Sequence, residues 1–116
     1  MKNPAIRDRL RDIVDYGREA IDAVGSLSAE QVLAERFREH TVLRTVQVVG
    51  EACAQLIKLD ETLVNRIPDI RRAIDLRNVL VHGYRKVRMG EILQIVRADM
   101  PDLVARTITV LHEDYE

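Results

Sequence analysis

A guanidinium, a carboxamide, an imidazole and a phenol fall within the eight residues Arg77-Asn78-Val79-Leu80-Val81-His82-Gly83-Tyr84. Cutting RNA without a metal needs one group to take the 2′-hydroxyl proton and another to protonate the leaving 5′-oxygen. It also needs a cation for the negative charge that builds on phosphorus. An imidazole titrates near neutrality and suits the proton transfers; a guanidinium suits the charge. The stretch holds one of each, and a two-fold dimer would bring two sets to a shared cleft. Spacing alone is weak support, because the chain has 15 Arg and only 3 Lys, so an Arg upstream of a His is common. The plain alternative is that Arg77 pairs with an acid such as Glu51 while His82 caps a helix end.

The element that must carry these groups is a helix opened by Pro68 and Asp69, residue types suited to a first turn. Ile70, Ala73, Ile74, Leu80 and Val81 recur at the spacing of a core-facing stripe. Arg77 falls in phase with them, where a charge is costly unless it is paired or put to use. Asn78 and His82 lie four apart, on one face. Gly83 lets the chain turn, leaving His82 at the helix end and Tyr84 beyond it. Leu76 to Val81 is apolar nearly all round except for Arg77 and Asn78, which points to a second chain packing there and hence a homodimer. Arg85, Lys86 and Arg88 form the densest basic cluster, read either as a polar loop or as a phosphate-contacting edge.

The other elements read as helices too. Asn3 and Pro4 have the form of an N-cap and first helical residue, followed by Ile6, Leu10, Ile13, Val14, Ile21 and Val24 on one face until Gly25-Ser26. Ser28-Ala29-Glu30-Gln31 has capping-box spacing and starts a short helix. Val42, Leu43, Val46, Val49, Cys53, Leu56 and Ile57 then keep a helical period. The β-branched run Thr45 to Val49 is not a strand, because nothing else in the chain could pair with it. Gly50 marks close approach to another helix. Its neighbour Glu51 reads as a solvated charge or as the partner of Arg77. Asp60 caps a short turn to Asn65, and a last apolar pattern from Ile92 to Leu111 contains Pro101, with a break or kink expected near Asp99. The sum is an all-α, up-down bundle of four or five helices in one domain, residues 1–116.

Composition narrows the function classes. With 47% apolar residues but one Phe and no Trp, the core must be aliphatic, and 116 residues bury about two thirds of the unfolded surface. A net charge of −1 gives no global attraction to nucleic acid, so any such contact is local. No His or Cys cluster has metal-ligand spacing, and no Gly-rich phosphate loop or G-x-S-x-G is present, so neither metal nor cofactor is expected. The lone Cys53 reads as a core residue, and His40 and His112 as solvent-facing bystanders. No apolar run approaches the roughly 18 residues of a membrane span, and no signal segment is evident, which reads as cytoplasmic.

Beyond the chemistry, the stretch from Arg77 resembles the Arg-x4-His-x-Tyr signature of HepT-like toxins in the HEPN (higher eukaryotes and prokaryotes nucleotide-binding) superfamily. Arg44-Thr45-Val46-Gln47-Val48-Val49-Gly50-Glu51-Ala52 is similar to that family's second-helix pattern ending in Gly-Glu-Ala, and Ile67-Pro68 fits ahead of the motif. The resemblance runs from Arg11 to the last helix. It implies a HEPN-like helical homodimer and a metal-independent endoribonuclease toxin of a type II toxin–antitoxin module. The implied partners are RNA and a minimal nucleotidyltransferase antitoxin. On that likeness Arg77 and His82 are catalytic, with Asn78 the polar residue after the arginine, and Tyr84 is the hydroxyl that the antitoxin modifies with AMP. The alternative is a non-catalytic helical module that docks a nucleotidyltransferase and presents Tyr84 for modification. Two departures stand out. Asp69 replaces the aromatic residue that often follows Ile-Pro, and the segment after Tyr84 is basic where relatives are commonly acidic.

Overall fold

The computed structural model describes residues 3–83 and 88–116. Five α-helices and one 3₁₀ turn make up the described residues, with no strand among them. They are α1 (Pro4–Val24), α2 (Ala29–Ala34), α3 (Arg36–Leu59), the 3₁₀ turn Glu61–Asn65, α4 (Ile70–Gly83) and α5 (Met89–Asp114).

Local chemistry sets most of the ends. The Asn3 side chain accepts from the Ala5 amide at 2.8 Å, with Pro4 in the first helical position. Gly25 takes φ +48° at the other end of α1, a conformation that suits glycine, and its amide bonds the Ile21 carbonyl at 2.9 Å. The remaining carbonyls there are covered from two other helices. Arg97 donates to the Val24, Gly25 and Leu27 carbonyls, and Arg38 donates to that of Ala23 at 2.9 Å. Ser28 and Gln31 form the reciprocal capping box expected for α2. A single extended residue, Glu35, separates α2 from α3. Asp60 accepts from the Thr62 amide at 3.0 Å and starts the 3₁₀ turn.

α1 lies at the centre of the bundle, packed on both α3 and α5, and α3 in turn carries α4. Leu10 and Ile13 from α1, Val42, Val46 and Leu56 from α3, and Ile92, Leu93 and Val96 from α5 fill the aliphatic core, which Ile67 and Ile70 join near the start of α4. Thr45, inside the β-branched run, is helical and buried, and its hydroxyl donates to the Thr41 carbonyl one turn back at 2.8 Å.

Two expectations are corrected. Of the break or kink expected near Asp99, the break is absent: α5 runs as one helix through Pro101. Proline inside a helix costs about 3 kcal/mol through a lost hydrogen bond and ring crowding. Here the ring is solvent-exposed, while Ile92, Leu93 and Val96 before it and Leu103, Val104 and Thr107 after it are buried. Packing on both sides therefore holds the helix continuous across the defect. The second correction concerns Val81, placed on the core stripe by its period. It is 52% exposed, and Leu80 is the residue that enters the core.

Candidate active site

α4 brings the arginine to its place because α3 lets it come close. A Cβ built on Gly50 would collide with the Cβ of Arg77 and stand 2.7 Å from the Ala73 carbonyl oxygen. Only a residue without a side chain allows the two helices this approach, as the sequence suggested. The next residue, Glu51, then faces Arg77 directly.

Arg77 Nη2 lies 2.5 Å from Glu51 Oε2, and Nη1 donates to Asn78 Oδ1 at 2.8 Å. Gln55, one turn along α3, donates to the other Glu51 oxygen at 3.2 Å. The Arg77 side chain is 30% exposed and that of Glu51 48%, so the pair lies at the protein's surface. A guanidinium carries five N–H donors, and these two contacts leave others for an incoming oxyanion. Glu51 and Asn78 thus fix the plane of the guanidinium without saturating it. The pairing anticipated in the plain alternative is present, and it is compatible with Arg77 meeting a phosphate.

This pair forms one wall of a groove of about 350 Å³. Among the described residues, Arg9 and Asp12 from α1, Arg44, Gln47, Val48, Ala52 and Gln55 from α3, and Val81 from α4 also line it. Arg9 and Asp12 pair across 3.0 Å. Sequence reasoning missed Arg9 and Gln55 and used Arg44 only as part of a family likeness. The available signal was the spacing of Arg44, Val48, Glu51 and Gln55, which repeats at four, three and four residues and so lines one side of α3.

The other candidate residues fall as follows. Asn78 is half-buried, and His82 is exposed in the last turn of α4 and does not line the groove. Arg88 is exposed at the start of α5. Tyr84, Arg85 and Lys86 lie outside the described residues. His40 is exposed, and His112 lies on α5 with Nδ1 2.5 Å from Glu116 Oε2. Cys53 is buried, and burial pushes its thiol up to about 12, which suits a core residue and not a nucleophile. Among the described residues no group of His, Cys, Asp or Glu side chains gathers as a metal site, and no helix is long and apolar enough to cross a membrane.

Comparison with known proteins bears on the same span. The family model described as ribonuclease HepT-like matches residues 8–110. A protein of Methanocaldococcus jannaschii that is provisionally named an RNase is 26% identical over 104 residues, covering 88% of this chain and 84% of that protein. A second protein of the same organism, also provisionally named an RNase, is 20% identical over 105 residues, covering 89% of this chain and 94% of its own length. A third couples a gamma-glutamylcyclotransferase with a provisional RNase and is 24% identical over 72% of this chain and 37% of that protein. No solved structure matches the chain.

Proposed function

The chain belongs to the ribonuclease HepT-like family, and from that premise we propose that it is a metal-independent endoribonuclease toxin acting as a homodimer. In this reading Arg77 binds the scissile phosphate and offsets the charge that develops on phosphorus. His82 handles the protons. One imidazole takes the 2′-hydroxyl proton as the 2′-oxygen attacks phosphorus, and the dimer's second imidazole gives a proton to the departing 5′-oxygen. Asn78 orients the guanidinium through its 2.8 Å contact. Arg88, with Arg85 and Lys86, adds phosphate contacts at the edge of the site.

The observation that carries the proposal is the setting of Arg77: half-buried, held by Glu51 and Asn78, and still facing an open groove. Exposed Val79 and Val81 on the same helix support the homodimer, since apolar side chains on a functional helix are natural seam residues. Control would come from a nucleotidyltransferase antitoxin that moves AMP from ATP to the Tyr84 hydroxyl with loss of pyrophosphate, placing a bulky anion beside the RNA site.

The test is expression without the antitoxin. Wild type should arrest growth and degrade RNA, while Arg77→Ala and His82→Ala should lose about 10²–10⁴ in cleavage rate. Undiminished cleavage by the His82→Ala protein overturns the assignment. The 2.5 Å Arg77–Glu51 pair also favours a second reading, in which the arginine is structural and the domain only docks a nucleotidyltransferase and presents Tyr84. That reading expects a stable complex and AMP transfer but no cleavage by the free protein.

A further inference from the structure

Beside Arg77 the groove holds more positive charge than the reaction at phosphorus requires. Arg44 lines it, is exposed, and has no acidic partner among the described residues. Arg9 lines it too; its Nη2 meets Asp12 at 3.0 Å, yet its Nε is buried without a hydrogen-bond partner. Among the described residues that line it, three arginines stand against Asp12 and Glu51, a net positive lining on a chain whose total charge is −1. The Arg44 guanidinium, unpaired among the described residues and set on the same concave surface as Arg77, suits an oxyanion. Among the described residues no aromatic side chain lines the groove, so they offer no platform on which a base could stack. Gln47 and Gln55 add neutral hydrogen-bonding groups of the kind that meet phosphate and sugar.

We infer that this groove is the track for the phosphodiester backbone of the RNA strand, with Arg44 and Arg9 contacting phosphates next to the one held by Arg77. The inference rests on the ribonuclease reading for the identity of the strand, and adds to it a subsite that reads backbone and not sequence. α1 and α3 then hold the substrate while α4 carries the chemistry.

The test uses the full chain and a fluorescein-labelled 2′-O-methyl RNA oligonucleotide, which lacks the 2′-hydroxyl nucleophile and cannot be cut. Arg44→Gln and Arg9→Gln should each raise Kd several-fold, and Arg44→Lys should recover part of the loss. Each lost contact should also flatten the plot of log K against log salt by about 0.7, the value for a single-stranded phosphate contact. Oligonucleotides of different sequence should bind alike. Wild-type affinity and salt slope in both glutamine variants overturn the inference, as does a wild type that binds no oligonucleotide. Displacement of the strand by ATP at matched phosphate concentration would assign the groove to free nucleotides and also overturn it. Cleavage of ordinary RNA, measured in parallel, separates the two ideas. Intact cleavage with unaltered binding in the variants removes the track alone; Arg44-dependent binding without cleavage removes the ribonuclease reading and leaves the groove as a backbone-binding surface.

Discussion

Gly50 and Arg77 face each other at a distance that leaves no room for a side chain on the first. The neighbouring position then supplies the carboxylate that grips the second, at 2.5 Å. Two adjacent residues of α3 thus do separate jobs for one arginine of α4: the glycine sets how near it comes, and the glutamate sets which way it faces.

Replacing Gly50 with alanine should force α4 off α3, because the atoms it meets are a Cβ and a backbone carbonyl and not the free end of a flexible chain. Overpacking of this kind costs about 1–3 kcal/mol. Urea titration of Gly50→Ala should show that loss together with a fall in cleavage; wild-type stability would mean that α4 shifts freely.

Glu51→Gln separates orientation from stability. The pair is about half exposed, so its removal should cost less than about 1 kcal/mol. If the carboxylate orients Arg77 for the proposed reaction, kcat/KM for RNA should still fall, by up to about 10²-fold for a misplacement on the order of 1 Å. Equal activity in the two proteins would reduce Glu51 to a surface charge.

Val79 and Val81 are 42% and 52% exposed on the helix that carries Arg77. The variant Val79→Glu, which leaves the groove-lining Val81 in place, should keep the fold of the single chain, with a change within about 1 kcal/mol. Sedimentation velocity should report a dimer for the wild type and a monomer for the variant, and RNA cleavage should fall with the loss of the dimer. A variant that stays dimeric places the seam elsewhere.

Burial of Cys53 gives a pH dependence with a definite sign. Its thiol is pushed up from 9.0 to about 12 in the folded protein. Between those values the unfolded chain releases a proton that the folded chain keeps, so stability falls as pH rises through this window. The slope is at most about 1.4 kcal/mol per pH unit from this group. Guanidinium unfolding of wild type and Cys53→Ala from pH 8 to 10.5 should show a steeper decline in the wild type; parallel curves would rule the thiol out.

Much of this was legible in the sequence because local chemistry fixed it. Asn3 with Pro4, Gly25, and the Ser28–Gln31 box mark helix ends through their own backbone contacts, and the structure has them where they were expected. Gly50 was legible for the same reason, since a glycine inside a helix is costly unless something comes close. Pro101 suggested a break that α5 does not have, because its penalty is local while the burial that offsets it, on both flanks of α5, is tertiary. Val81 misled because a helical period tolerates a slip of one residue, and Leu80 was the one aligned with the core. Arg9 could not be tied to Arg77 from sequence at all, because α1 and α4 meet at the groove only once α3 has been placed between them.

α4 has one main packing partner, α3, and its links to α5 include the Arg72–Asp99 pair at 3.0 Å. A helix docked on a single neighbour can detach while the rest of the molecule stays whole, opening at a lower free energy than global unfolding. Native-state hydrogen exchange should find the amides of α4 exchanging through such a partial opening, and those of α1 only when the whole chain unfolds. Undocking would carry Arg77 away from Glu51 and dismantle the candidate site while the core stays folded. A partner that captured the detached helix could therefore silence the protein without unfolding it.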